Sequence, residues 1–264
     1  MGWAARLGSK GPGVFIGIPT MGVLHQRLVG LLISLTQEHR NGLVIHMISH
    51  AIPVDFARNS LVEEFLRSPC EWLLMIDADV VPPPTVLNLT KHGADTHPIV
   101  GGVCLGLING KVTSTIFQEL KESPGQYVQH EHLNDSGVLP VDATGTGCLA
   151  IHRSVFERLS RPYFEFVFHE ESRAIKTGED IRFCEKARAA GFPVHIDKSV
   201  RCSHYKDVDL DWVNKEIVNY MSPEKVTALI DKTIAKRTAE MAERLRINGA
   251  ATPIPLQEEL VPAS

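Results

Sequence analysis

Three short, almost uninterrupted apolar runs constrain this chain most: Val14–Ile18, Leu43–Ser49 and Trp72–Ile76. A strand that is apolar on both faces must be covered on both faces, and parallel sheets achieve this with helices above and below. The intervening stretches supply those helices. Leu24, Leu28, Leu31, Leu32 and Leu35 recur at helical spacing across Leu24–Glu38, and Asp55–Leu66 reads as a second helix. Further strands are expected at Ile99–Leu105, Cys148–His152, Val194–Ile196 and Val200–Ser203. Thr85–His92, Ser154–Leu159 and Glu179–Ala190 complete the helices, the last ended by Gly191. The expectation is an α/β fold with a mostly parallel central sheet and helices on both faces.

The chain holds 264 residues, enough for one large core without disulfide staples. Its five cysteines include no CxxC pair, which excludes a zinc ribbon and a dithiol redox motif. Free, mostly buried thiols are expected. A net charge of −4 gives no whole-protein basic field for nucleic acid or anionic lipid. Residues 1–13 are Gly-rich, are expected to form a flexible arm, and show no apolar core of a secretory signal. No apolar run is long enough to span a membrane, so the expected location is the cytoplasm. From residue 210 the character changes. Val226, Ile230, Ile234, Met241 and Leu245 mark an apolar stripe on a charged helical extension over 210–248, followed by a disordered tail over 249–264. That stripe packs either on the body of the protein or on a second copy, giving a homo-oligomer.

The chemistry concentrates at the end of the third run. Trp72–Ile76 delivers Asp77-Ala78-Asp79, two carboxylates at the C-terminal end of an apolar strand. Ligands of open α/β sheets bind in the crevice at such ends. Two carboxylates there repel unless a cation joins them, and a hard divalent ion with oxygen ligands answers that need. The other reading is a surface loop with helix-capping aspartates. Glu179 and Asp180 form a second acidic pair in the first turn of a helix, where the helix dipole alone favours one or both. Gly145-Thr146-Gly147 formally opens a GxGxxA match, but it lies mid-chain and leads into a strand, so a dinucleotide site is disfavoured.

Ile18-Pro19-Thr20, Ala57-Arg58-Asn59, Asp77-Ala78-Asp79, Gly145-Thr146-Gly147, Gly178-Glu179-Asp180 and His204 stand in the order seen in the GT-A-fold glycosyltransferases, and the chain resembles their family 2-like members over roughly residues 14–205. The resemblance implies a catalytic domain over 14–209 that moves a sugar from a nucleotide-diphosphate sugar to an acceptor hydroxyl. UDP-sugar is the implied donor, with GDP-sugar as the alternative. Pro19, Thr20, Arg58, Asn59, Asp77, Gly145, Thr146 and Gly147 are then implied to bind the nucleotide sugar. Asp79, which also belongs to that set, and His204 are implied to hold Mn2+ or Mg2+. Asp180 is the implied general base, with inversion at the anomeric carbon, and Glu179 orients the acceptor or shapes the site.

Each assignment has a plainer alternative. Arg58 can be an ordinary helix-surface arginine, His204 a hydrogen-bonded histidine, and the glycine turn purely structural. The acceptor is not specified: glycan, protein, lipid, small molecule and modified DNA base all stay open. Residues 106–140 match no motif, hold possible strands at Thr113–Phe117 and Gln126–His130, and are where acceptor choice is expected, as an active-site wall or mobile loop. His130-Glu131-His132 within them reads as polar surface rather than a metal site. Two other functions compete. An Asp-x-Asp phosphatase of haloacid-dehalogenase type fits Asp77-Ala78-Asp79-Val80-Val81, yet that motif belongs on a first strand and two strand–helix units precede it here. A module that binds a nucleotide sugar without turnover is the third reading.

Overall fold

The computed structural model describes residues 13–39, 42–49, 52–108, 111–130, 133, 136–207, 231–232, 234–236 and 238–239. The expected arm (save Gly13), the tail, most of the helical extension, and Glu131 and His132 fall outside the described residues. Of the apolar stripe only Ile234 is described; it is helical and exposed. The chain divides into two units, Met1–Lys206 and Asp207–Ser264.

The first unit begins with β1 (Val14–Thr20), α1 (Gln26–Glu38), β2 (Leu43–Ser49), α2 (Val54–Arg67), β3 (Trp72–Ile76) and β4 (Val80–Val81). A 3-10 helix over Pro84–Lys91 leads to β5 (Ile99–Val103), β6 (Leu105–Ile108), β7 (Lys111–Ser114), β8 (Ile116–Glu119) and β9 (Tyr127–Gln129). Then come β10 (Val138–Val141), β11 (Ala143–Thr144), β12 (Cys148–His152), α3 (Arg153–Arg158), β13 (Val167–Phe168) and β14 (Ile175–Thr177). The unit closes with α4 (Glu179–Ala189), β15 (Val194–Arg201) and β16 (Ser203–His204).

Seven strands form the central sheet in the order β10-β15-β5-β12-β3-β1-β2. β1 runs parallel to β2 and β3, and β15 parallel to β5. β12 is antiparallel to both of its neighbours, and β10 is antiparallel to β15. The expected mostly parallel sheet is therefore present. Successive side chains alternate between its faces. Phe15, Leu73, Met75 and Leu149 join one core with Leu61, Phe65, Phe156 and Phe183, which come from α2, α3 and α4. Val14, Ile16, Ile18, Leu74 and Ile76 join the other with Leu28, Leu31, Leu32 and Leu35 of α1. The chain steps outward from β1 to β2, then returns to β3 on the other side of β1. That reversal opens the crevice at the carboxyl ends of β1 and β3.

Several boundaries differ from the sequence reading. Ile99–Leu105 is not one strand. It breaks at Cys104, whose carbonyl accepts the backbone N–H of Thr115 at 3.2 Å, and β6 turns away to pair with β7. Val194–Ile196 and Val200–Ser203 are largely one strand, β15. Its register shifts between Asp197 and Arg201, where Asp197 Oδ1 accepts the N–H and hydroxyl of Ser199. The stretch after Pro82-Pro83-Pro84 is a 3-10 helix rather than an α-helix. The first helix starts at Gln26, not Leu24, because the His25 ring accepts the Arg27 N–H and caps it. Within 106–140 the possible strand at Thr113–Phe117 is two, β7 and β8, split at Thr115, and that at Gln126–His130 is β9; β6 pairs with β7, and β8 with β9 and β11. All five cysteines are free, and four are buried.

Gly102 shows how closely β15 is seated. A Cβ there meets the Val200 carbonyl oxygen at 2.9 Å, a backbone atom that cannot rotate away. A Cβ on Gly101 meets only the tip of Ile196 at the same distance. Gly102→Ala is expected to cost about 1–3 kcal/mol by overpacking, and Gly101→Ala less. Urea unfolding of the two variants checks this; an equal or reversed order contradicts it.

Candidate active site

β3 ends at the crevice, and backbone hydrogen bonds fasten the three residues after it. The Asp77 N–H donates to the Gly147 carbonyl at 3.1 Å, and the His25 N–H to the Ala78 carbonyl at 2.9 Å. The Tyr205 N–H donates to the Asp79 carbonyl, also at 2.9 Å. Asp77-Ala78-Asp79 is thus held from three sides before any ligand arrives. β4 then pairs with β16, placing His204 opposite Val80 and its ring beside Asp79.

Asp79 Oδ2 lies 3.3 Å from His204 Nε2 and 2.5 Å from Lys206 Nζ. Burial works against the Asp79 charge, but the donors of His204 and Lys206 outweigh it and hold the carboxyl well below the usual range. Asp79 in turn raises the pKa of His204. The other ring nitrogen, Nδ1, donates to the Leu105 carbonyl at 2.7 Å. In the neutral ring this fixes the lone pair on Nε2, facing the carboxylate. Nε2 is buried and makes no well-aligned hydrogen bond among the described residues. A proton on Nε2 joins the two groups in the ligand-free protein, and a divalent cation can take that proton's place. A ligating histidine characteristically gives its second N–H to a backbone carbonyl in this way. Asp79 and His204 therefore fit a divalent metal, although no group of three or more His, Cys, Asp or Glu side chains converges as a complete cage among the described residues.

Arg58 has a different place from a nucleotide-facing arginine. It is buried in α2, where its guanidinium hydrogen-bonds Glu179 Oε1 and reaches Asp77 Oδ1 at 3.2 Å. One cation thereby ties the acid at the end of β3 to the acid at the start of α4. Glu179 is buried as well, so it shapes the site through Arg58 and is not placed to orient an acceptor. Asp180 stands beside it, half-buried, with Oδ1 accepting the Ile181 N–H at 2.8 Å. Burial pushes its carboxyl above the usual range, against the pull of the Arg58 charge.

The glycine turn sits between the two acids. A Cβ on Gly147 meets Asp77 Oδ2 at 3.4 Å, and one on Gly145 meets Thr115 Cβ at 3.2 Å and Asp180 Oδ2 at 3.6 Å. Absent side chains let both carboxylates approach the backbone. Thr146 between them is buried, and its hydroxyl has no hydrogen-bond partner among the described residues. Gly145 N–H donates to the Thr115 carbonyl at 2.8 Å, which binds the turn to the β7–β8 corner.

Two residues of the implied nucleotide set, Asn59 and Thr20, make hydrogen bonds within the protein. Asn59 Oδ1 accepts the N–H groups of Tyr163 and Phe164, and its amide donates to the carbonyls of Asp55 and Phe164. It pins the 163–164 loop to α2 and has no capacity left for a nucleotide. The Thr20 hydroxyl donates to the Val23 carbonyl and accepts the Gly22 N–H, closing the turn after β1. Pro19 is buried at the end of β1. The sequence reading missed Lys206 on Asp79 and the Arg58–Glu179 pair. Lys206 had a signal, a basic residue two positions after His204. The ion pair had none, because its partners lie far apart in the chain.

No family model and no curated protein sequence matches this chain. Among solved structures, A197 from STIV aligns at a TM-score of 0.52 and 19% identity, covering 74% of this chain and 86% of that one. GalNAc-T7, solved with UDP, GalNAc and Mn2+, aligns at 0.47 and 10% identity over 75% of this chain and 44% of its own. S. aureus TarS 1–349, solved with UDP-GlcNAc, aligns at 0.41 and 10% identity over 75% and 60%. These are likenesses of fold. The fold is shared with A197, and its mostly parallel α/β sheet is the one the sequence resemblance implied. No helix among the described residues is long and apolar enough to cross a membrane.

Removing Arg58 strands a buried Glu179 and leaves Asp77 unanswered. Arg58→Met is expected to destabilise the protein by about 3–5 kcal/mol, the cost of breaking a buried pair from one side. Denaturant unfolding reads this directly, and a loss below about 1 kcal/mol contradicts the bridging role.

Proposed function

We propose that this protein is a metal-dependent glycosyltransferase. It moves a sugar from a nucleotide-diphosphate sugar, UDP-sugar first and GDP-sugar as the alternative, to an acceptor hydroxyl. The single observation that carries the reading is the Asp79–His204 pair, a half-buried, carbonyl-anchored imidazole facing a carboxylate at 3.3 Å in the crevice at a strand end. A divalent ion there, Mn2+ or Mg2+, supplies charge neutralisation of the diphosphate leaving group.

The chain's own residues do the rest. Asp77 takes the donor sugar with the oxygen that Arg58 leaves available. Thr146 offers its unpartnered hydroxyl, and the Gly145–Gly147 turn offers backbone close to the donor. Asp180 accepts the proton of the acceptor hydroxyl at a carboxylate oxygen, and its raised pKa makes it a stronger base than an exposed aspartate. With Asp180 across the turn from Asp77, displacement inverts the anomeric carbon. Glu179 and Arg58 position the acids and touch neither sugar. The β8–β9–β11 sheet and the β6–β7 hairpin, grown from the stretch that matched no pattern, form the wall on which acceptor choice depends.

The phosphatase reading asks Asp77 to attack phosphorus as a nucleophile. Its Oδ1 is instead bound by Arg58, and its strand is the third of the chain. Binding without turnover leaves Asp180, set across the glycine turn from Asp77, without a role.

Asp79→Ala is expected to abolish Mn2+-dependent turnover of the donor sugar while circular dichroism stays that of wild type and Tm falls modestly with the lost His204 and Lys206 pairing; full retained activity refutes the proposal. Asp180→Asn is expected to lower kcat about 10^2–10^4-fold and also to raise Tm at pH 7. The sign comes from the raised folded pKa of Asp180: its charged form costs stability once pH exceeds its unfolded value. The Tm gain must therefore shrink as pH falls toward the acid range. The acid limb of the wild-type pH–rate profile should likewise lie above that of an ordinary aspartate. Unchanged kcat in Asp180→Asn rules out its role as base.

A further inference from the structure

Asp79 Oδ2 has two nitrogen neighbours, and only the imidazole of His204 suits a metal site. Lys206 Nζ sits at 2.5 Å from the same oxygen that faces His204 Nε2 at 3.3 Å. An ammonium and a divalent ion cannot share that oxygen, because like charges at contact repel strongly in a half-buried setting. Metal entry must expel Lys206. The residue before it shows that the backbone stays behind. The Tyr205 N–H is bound to the Asp79 carbonyl, its ring stacks on His25 at 3.7 Å and 10°, and its hydroxyl accepts from Arg27. Past this anchor the Lys206 side chain is about half exposed and stands on a flexible stem, so it can swing without moving the strand. The strongest anion then available at the same mouth is the diphosphate of the donor.

Resting on the reading of Asp79 and His204 as a metal pair, we propose that Lys206 is a resident counter-ion. It holds the metal carboxylate in the ligand-free protein and passes to the nucleotide phosphates when a divalent ion takes its place. Lys206 thus opposes metal binding on its own and favours it when nucleotide is present. The two ligands become coupled through one side chain.

The test uses the full chain, its Lys206→Met variant and its Lys206→Arg variant. Free Mn2+ is measured by electron paramagnetic resonance, and UDP by calorimetry at saturating Mn2+. In Lys206→Met, nucleotide-free Mn2+ binding should tighten about tenfold and UDP binding should weaken by a similar factor, within the usual span of coupling between sites. Lys206→Arg should behave like wild type. Opposite shifts for metal and nucleotide are the signature, since a merely structural loss weakens both. Unchanged or weaker Mn2+ binding in Lys206→Met, with wild type binding both ligands, overturns the counter-ion role alone. Tighter Mn2+ with unchanged UDP overturns the hand-over. A wild-type chain that binds neither Mn2+ nor UDP refutes the metal-pair reading itself, and this inference with it.

Discussion

Four carboxylates gather at one end of the central sheet, and the cations that answer them set the geometry of everything nearby. Asp77 and Glu179 share the buried guanidinium of Arg58, while Asp79 is answered by His204 and Lys206. Asp180 is left with a backbone N–H and the more distant field of Arg58, and burial raises its proton affinity. The arrangement separates the acids by role. In the proposed reading Asp77 and Glu179 are tied by one cation, Asp79 faces the cation site, and Asp180 serves as base. Environments that push neighbouring carboxylates apart in pKa are how a site assigns acid–base work.

The sheet makes that crowding possible. β1, β3 and β12 are buried on both faces, so the chain emerging from β3 is held rigidly and its charged residues appear only at the rim. β12 runs against β3 and brings the Gly145–Gly147 turn directly beside Asp77. α4 starts where Arg58 can reach its first residue. β15 and β16 return the chain to β4 and deliver His204 and then Lys206. Elements from widely separated parts of the chain therefore converge on one crevice, and none of them supplies the site alone.

Much of this was legible in the sequence because it rests on local pattern. The apolar runs at Val14–Ile18 and Trp72–Ile76 have the composition of strands covered on both faces, and the alternation with leucine-spaced helices dictates a mostly parallel sheet. Asp77 and Asp79 stand out because charge directly after a buried strand needs a reason. What was not legible depends on contacts between distant residues. Nothing local to Asn59 says that its amide clamps the 163–164 loop, nor that Arg58 is buried against Glu179. The break at Cys104 was hidden because the apolar run continues through it, and the cause is a carbonyl captured by Thr115. The two-residue pairing of β4 with β16 is too short to leave a periodic signal, yet it decides where His204 falls.

The proposed function requires the Asp79–His204 crevice to bind a nucleotide diphosphate through a divalent cation. The most direct test is thermal unfolding of the wild-type chain with a panel of UDP and GDP sugars, with Mn2+ and again with chelator. A donor at about 100 times its dissociation constant stabilises the native state by roughly 2.7 kcal/mol, which at this size raises Tm by about 5–11 °C. The account predicts that rise for one nucleotide class, in the presence of Mn2+ and not in its absence. No shift with any donor, or the same shift with metal removed, contradicts it.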